Sequence, residues 1–343
     1  MLFEIQNPLL ILGFVLSFFS VLFGIPFWIS KMKERSFLWE DMNIFKDKRK
    51  ENIAGAGGII VVMGFLLGVL YYIAVRNFLF NQTNGINVQI FALLNVILIL
   101  GIIGLVDDFF GWKSGGLSNR FRIIAVLFAS IPLIVINAGV SSIGIPFFGK
   151  INFGIFYPLV LVPLGIAGAT ITYNFLAGFD GLEAGQGILI LSFLSYVSYV
   201  TGNSWLSIIG LSMVVALLGF WIFNKYPASV FPGDSLTWSV GALIASMAIL
   251  GNFERIALIV FIPYIIEFCL KAGRGKLKKY SFGKPNPDGS LEIPYKKIYG
   301  LTHFAIFTLK KIKPSKKVYK KDVVLFIHLI QIIFIAIAWI WML

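Results

Sequence analysis

Apolar residues run along this chain in long unbroken stretches, not in alternation with polar ones. About ten such stretches stand out: Pro8–Ile29, Gly55–Val75, Ile90–Val106, Ile123–Ala138, Pro158–Leu176, Gly187–Val200, Leu206–Phe223, Leu236–Leu250, Ile256–Leu270 and Val323–Leu343. At about 1.5 Å rise per residue, roughly 20 helical residues cross the ~30 Å hydrocarbon core of a bilayer. A closed barrel would need period-two alternation, which is missing. The pattern predicts an all-α integral membrane protein with about ten transmembrane helices, one polytopic domain over residues 1–343. The first stretch is too long for a signal-peptide core and has no basic region before it.

Two short extramembrane hairpins interrupt the helical pattern. Ser142–Gly154 turns around Phe148-Gly149-Lys150, and Lys279–Phe282 faces Leu291–Tyr295 across Pro285-Asn286-Pro287-Asp288-Gly289. Both carry the Gly, Pro and Asp signals of tight turns.

Charge then orients the spans. Of the 29 lysines and arginines, all but Arg76, Lys150 and Arg255 fall after odd-numbered spans. The positive-inside rule makes those connections cytoplasmic. They are loops 31–54, 107–122, 177–186, 224–235 and 271–322, with both termini outside. The net charge of +13 is therefore explained by orientation and anionic lipid headgroups, with no nucleic acid as partner. Lys310–Lys321 reads as a membrane-surface anchor. The single cysteine, Cys269, lies in an apolar run and has no partner for an intramolecular disulfide.

Acidic residues are scarce, and they gather on the face that the lysines mark. Gly104-Leu105-Val106-Asp107-Asp108-Phe109 ends the third span. Asn174-Phe175-Leu176-Ala177-Gly178-Phe179-Asp180-Gly181-Leu182-Glu183 follows the fifth, and Phe231-Pro232-Gly233-Asp234 follows the seventh. Ionisable groups at membrane depth mark functional sites. Neighbouring side chains diverge on a helix, so one of Asp107 and Asp108 is expected to face substrate or metal while the other holds a lysine or a loop. Mg²⁺ binds through one or two protein oxygens, waters and substrate phosphates. No Cys/His set for zinc and no Walker loop is present.

With these clusters in order, and Asp41-Met42-Asn43 before them, the chain resembles the polyprenyl-phosphate N-acetylhexosamine-1-phosphate transferase family over nearly its whole length. Gly181-Leu182-Glu183-Ala184-Gly185-Gln186 looks like the archaeal and eukaryotic branch. The resemblance implies a UDP-GlcNAc:dolichyl-phosphate GlcNAc-1-phosphotransferase. A lipid phosphate attacks UDP-GlcNAc, UMP leaves, and lipid-diphosphate-GlcNAc remains, the first step of lipid-linked oligosaccharide synthesis for N-glycosylation. It also implies Mg²⁺, with Mn²⁺ as a substitute, held by Asn174 and Asp234. Asp107 and Asp108 become the catalytic acids. Glu51, Phe231, Asp180 and Glu183 would line the nucleotide-sugar pocket. Lys113, Arg120, Lys284 and His303 are candidates for phosphate contacts. The final loop lacks the bacterial histidine run and also departs from the eukaryotic arginine/histidine pattern. A homodimer is compatible with this reading. The alternatives are the same chemistry with another UDP-sugar or undecaprenyl phosphate, and a secondary transporter coupled through Asp180, Asp234 and Glu267. Transporter sites lie near the midplane between repeated halves; here the acids share one face and no repeat is visible.

The orientation is open to a direct test. Cysteines placed at Lys46 and Lys316 in a Cys269→Ala background should react with impermeant thiol reagents only after the inner face is opened. Labelling of either in intact cells would reverse the topology.

Overall fold

The computed structural model describes residues 8–45, 53–82, 85–114, 116–145, 149–272 and 281–342. Its helices are α1 (Pro8–Glu34), α2 (Gly58–Phe78), α3 (Gly85–Ser114), α4 (Asn119–Ala129), α5 (Ile131–Val135), α6 (Val162–Phe175), α7 (Leu182–Val200), α8 (Ser204–Asn224), α9 (Gly233–Gly251), α10 (Glu254–Val260), α11 (Ile262–Ala272), α12 (Leu301–Ile312) and α13 (Lys320–Met342). A π-helical turn, Tyr157–Leu161, leads into α6. The chain is an all-α multi-pass membrane protein.

Among the described residues, seven helices are long and apolar enough to cross a membrane, fewer than the ten expected. Two of the remaining apolar stretches are broken at prolines. Pro132 opens α5 and Pro263 opens α11; a proline in the first turn lacks the N–H that would continue the preceding helix. The third, α7, is diluted by Glu183 and Gln186 near its start. Two of them, α7 and the stretch that holds α10 and α11, have contacts near both ends of the bundle. Glu183 of α7 lies by Gly178, and Tyr196 and Tyr199 lie by the start of α1. Glu254 of α10 meets Tyr157, while Lys271 of α11 meets the end of α6.

Both described termini sit at one end. Leu10 and Ile11 share a cavity with Tyr199, and Trp339 packs on Tyr196 with ring centroids 5.8 Å apart. The start of α13 is at the other end, where Lys320 meets Asp41 and Asp180. That end also holds Asp107, Asp108 and Asp234, and is called the site end below.

The centre of the bundle is α9, 89% of whose apolar window is buried, against 28% for α1 and 22% for α13. Its sequence explains why. Lipid gives no hydrophobic drive for helix association, so small residues that let backbones approach decide who packs where. A Cβ on Gly241 would lie 2.8 Å from the Ala169 carbonyl of α6. On the other side, Gly101 and Gly104 of α3 bring that helix against Ser239 and the backbone of Asp234. The same device joins α1 to α2, where Gly64 and Gly68 face Gly13, Ser17 and Val21.

Among the described residues, three small antiparallel pairs lie outside the helices: β1 (Leu38–Trp39) with β2 (Ile53–Ala54), β3 (Ser142–Ile145) with β4 (Gly149–Asn152), and β5 (Lys284–Pro285) with β6 (Leu291–Glu292). The expected hairpin at Ser142–Gly154 corresponds to β3–β4. The second expected hairpin pairs at Lys284 instead of Lys279–Phe282, of which 279 and 280 lie outside the described residues. The β1–β2 pair was not expected; Ala54 extends it by a parallel bridge to Val230.

The α1–α2 contact yields a prediction. A Cβ on Gly68 would stand 2.0 Å from Ser17 Oγ and 2.8 Å from the Gly13 carbonyl. Gly68→Val should cost about 1–3 kcal/mol by overpacking, read as a lower thermal unfolding midpoint in detergent. Gly85→Ala, with nothing within 4 Å, is the control. Equal midpoints for Gly68→Val and wild type would contradict the packing.

Candidate active site

The site is built on one reach across the fold. Asp108, at the end of α3, accepts hydrogen bonds from the backbone N–H groups of Asp234 (2.7 Å) and Ser235 (3.2 Å). These are among the orphan donors of a helix N-terminus, and an anion there is favoured by the helix dipole. Asp108 thus caps α9 from a distant part of the chain. The approach is permitted by two glycines. Gly233 has φ +73°, and a Cβ on it would be 2.3 Å from Asp108 Oδ2. A Cβ on Gly104 would be 2.7 Å from the Asp234 carbonyl.

The cap fixes where Asp234 points. Asn174, in the last turn of α6, donates its Nδ2 to Asp234 Oδ1 at 2.6 Å and to Thr237 Oγ1 at 2.9 Å. Asp107 takes the second of the two expected roles and holds a loop: its Oδ1 accepts from Leu117 N–H at 2.6 Å. Its Oδ2 is 2.6 Å from the guanidinium of Arg122, which also lies 4.0 Å from Asp234 Oδ2. Asp107, Asp108, Arg122 and Asp234 open into a cavity of about 570 Å³, lined also by Ser36, Leu38, Trp39, Glu40, Met42 and Gly111. The ring of Trp39 stacks on Phe231, with centroids 6.4 Å apart and planes at 28°.

Asp41, Asp180, Glu183 and Glu267 are not in the lining of this cavity. Asp180 and Asp41 share the ammonium of Lys320, whose Nζ is 2.9 Å from Asp180 Oδ2. Asp180 also accepts from Ala228 N–H at 3.3 Å. Burial pushes the Asp180 carboxyl above the usual carboxylate range, and the nearby Lys320 charge opposes that rise. Glu183 is buried and accepts from Gly178 N–H at 2.8 Å. Asn43 bridges Gly178 and Gly283, donating to the first carbonyl at 2.7 Å and accepting from the second N–H at 2.9 Å. Asp180 and Glu183 therefore brace the loop after α6. Neither lines the cavity as a nucleotide-pocket residue was expected to. Glu267 is fully buried and paired with Lys271 at 3.0 Å, and it accepts from Leu301 N–H at 2.6 Å. A neutralised helix cap of this kind removes the best support for a transport-coupling role.

The expected phosphate contacts fare unevenly. Glu51 and the side chain of Lys113 lie outside the described residues. Lys284 is exposed on β5, away from the cavity lining. Arg120 is exposed on α4. The cation that enters the site is Arg122, two residues on and about 200° around the helix, since each residue turns about 100°. Only one of the two can face Asp107, and sequence spacing alone did not say which. His303 is a correction. It is fully buried, its Nε2 lies 3.3 Å from the Phe282 carbonyl, and its Nδ1 accepts from Tyr299 N–H at 3.4 Å. Burial pushes its pKa down to about 4, so at neutral pH it is an uncharged packing residue with both nitrogens engaged.

The donor set suits a hard divalent cation. Among the described residues, four carboxylates line the cavity, those of Glu40, Asp107, Asp108 and Asp234, against one guanidinium, that of Arg122. A polyphosphate entering so acidic a space needs a cation between the like charges. Among the described residues no group of three or more His, Cys, Asp or Glu has metal-holding geometry.

A sequence model of glycosyl transferase family 4 matches residues 90–252, the part from α3 to α9 that carries Asp107, Asp108, Asn174 and Asp234. A protein of Sulfolobus acidocaldarius is 33% identical over 331 residues, 96% of this chain and 95% of its own. The chain belongs to glycosyl transferase family 4. That relative is provisionally named a UDP-N-acetylglucosamine–dolichyl-phosphate N-acetylglucosaminephosphotransferase. So is a Saccharolobus solfataricus protein, 36% identical over 299 residues, covering 87% of this chain and 88% of the relative. A phospho-N-acetylmuramoyl-pentapeptide-transferase of Halalkalibacterium halodurans is also similar, 30% identical over 266 residues, 75% of this chain and 78% of the other. This family 4 chain thus shares more of its length with the archaeal relatives than with the bacterial one.

The glycine at the cap gives a test. Gly233→Ala forces a side chain into the left-handed region, about 1–2 kcal/mol, and against Asp108. Gly154→Ala has φ +51° with nothing within 4 Å, so it carries the conformational cost alone. Thermal unfolding should show Gly233→Ala as clearly the more destabilised. Equal shifts would mean that Asp108 does not press on this turn.

Proposed function

We propose that this chain transfers GlcNAc-1-phosphate from UDP-GlcNAc to a polyprenyl phosphate of the dolichyl type, releasing UMP and leaving lipid-diphosphate-GlcNAc. The active site faces the cytoplasm and both termini lie outside. The observation that carries this reading is the acidic cavity around Arg122, at one end of an apolar bundle. A polyanionic nucleotide from water and a phosphate on a bilayer lipid can meet there. The archaeal relatives, similar along nearly the whole chain, support the choice of donor and acceptor.

Asp234 and Asn174 would hold Mg²⁺. Bound there, it supplies charge neutralisation on the pyrophosphate, an effect worth several kcal/mol. Arg122 contributes a fixed positive charge beside the same oxygens, held against rotation by Asp107. Trp39 and Phe231 offer aromatic faces to the uracil. Asp108 keeps the first turn of α9, and so Asp234, in place. Phosphoryl transfer rests mainly on such positioning and electrostatics. A lipid phosphate monoester, with a second pKa of about 6, is already largely dianionic at neutral pH and needs little base catalysis. Direct attack is therefore favoured over a covalent aspartyl phosphate.

The second reading is the same chemistry with another UDP-sugar on undecaprenyl phosphate, favoured by similarity to bacterial relatives named as muramoyl-pentapeptide transferases. A membrane assay decides between them. Labelled UDP-GlcNAc, UDP-GalNAc and UDP-MurNAc-pentapeptide are each offered with Mg²⁺ and dolichyl or undecaprenyl phosphate. Labelled lipid should form from UDP-GlcNAc, with no turnover of the pentapeptide donor; comparable turnover of the two would refute the donor assignment.

In the same assay Asp234→Asn should raise the Mg²⁺ concentration for half-maximal rate and lower kcat severely. Lys33→Gln, on the exposed end of α1, should change neither. A normal Mg²⁺ titration with near-normal kcat for Asp234→Asn would remove Asp234 from the metal site.

A further inference from the structure

A second charged surface at the site end is separate from the acidic cavity. It is formed by β5–β6, α12 and the loop that leads into α13. Two adjoining cavities, of about 490 and 630 Å³, share Ile293 and Phe307. The first is lined by Lys296 and Lys297, the second by Lys310, Lys311 and Lys316. Carboxylates are few. Glu292 is paired with Lys310 at 2.9 Å. Asp322 and Asp288 are taken by Lys313 and Lys317. Lys296, Lys297, Lys311 and Lys316 have no carboxylate partner among the described residues.

The position of α12 says what this surface meets. Leu301, Thr302, His303, Ala305 and Ile306 are its buried face. The opposite face exposes Phe304 and Phe307. Phe304 packs on Phe326, ring centroids 6.2 Å apart, and Phe326 is six residues inside the membrane-length helix Lys320–Met342. Six residues at about 1.5 Å each place that contact roughly 9 Å along the span. An interfacial helix buries its apolar face by about 5–10 Å into the headgroup and acyl boundary. That position beside the span suits the exposed phenylalanines of α12 to acyl chains and the lysines at its C-terminal end to headgroups. Lys311 Nζ lies 4.3 Å from the centroid of Phe307, joining the two layers.

We propose that this surface is a seat for anionic phospholipid headgroups of the leaflet at the site end. The headgroup phosphate rests among Lys296, Lys297, Lys311 and Lys316, and acyl chains lie along Phe307 and Phe304. Nothing in this seat depends on the transfer reaction.

The test is native mass spectrometry of the full chain, released from micelles holding equal amounts of phosphatidylglycerol and phosphatidylcholine. Wild type should carry phosphatidylglycerol in clear preference. Replacing the four lysines by glutamine (K296Q, K297Q, K311Q, K316Q) should reduce that preference by on the order of fivefold per lysine. K31Q with K33Q, also exposed at the site end, should leave it unchanged. The four lysines are surface residues, so their loss should not unfold the protein. Two results would overturn the proposal: equal retention of both lipids by wild type, or an undiminished preference in the fourfold variant. A third arm adds inorganic phosphate in tenfold excess over lipid. Retained phosphatidylglycerol supports a headgroup seat, and displacement would assign the surface to free anions and end the proposal.

Discussion

The arrangement at the site end depends on one hydrogen-bonded reach, the carboxylate of Asp108 on the first N–H groups of α9. An uncapped helix start leaves donors that bulk water must satisfy, and at the edge of a bilayer water is not reliably there. Asp108 satisfies two of them and ties α3 to α9 where Gly104 and Gly233 let the backbones close in. Once α9 begins at a fixed point, Asp234 in its first turn has one direction available, toward Asn174 and Arg122. The acidic cavity is the consequence of that geometry.

Two buried ion pairs then hold the remaining loops to the site end. Lys320 bridges Asp41 and Asp180, and Lys271 joins Glu267 to the Phe175 carbonyl at the end of α6. Buried pairs are weak sources of net stability, because desolvation offsets attraction. Their value here is in specifying position. Lys271 sits at a helix C-terminus, where a cation is favoured, one residue beyond Asn174. Lys320 fastens the start of α13 to loops that come from the first, sixth and eighth helices. Removing one partner would leave a buried charge, so these loops are held in one arrangement.

Much of this was legible in the chain itself. Unbroken apolar runs named the class, and lysine asymmetry grouped the acids that the fold brings to one end. Asp107, Asp108, Asn174 and Asp234, distant in sequence, lie together in the fold. The failures have physical causes. Prolines 132 and 263 split apolar runs that look continuous by hydropathy. Asp180 and Glu183, which the resemblance places in the nucleotide-sugar pocket, are engaged by Lys320 and by the Gly178 N–H, contacts between distant segments that no apolar pattern encodes. Helix phase decides between Arg120 and Arg122, and α4 starts at a cap, Ser118, whose register the apolar pattern does not fix. Trp39 enters the cavity through the β1–β2 pair, two residues per strand, too short for any periodic signal.

The central claim is that Asp108 anchors the start of α9. Hydrogen–deuterium exchange over the segment from Phe231 to Trp238 measures it directly. In wild type the amides of Asp234 and Ser235 should be protected. In Asp108→Ala, loss of bonds to a charged acceptor, about 1.5–3 kcal/mol each, should speed their exchange by about tenfold or more while distant helices exchange as before. Unchanged protection of these two amides in the variant would contradict the account.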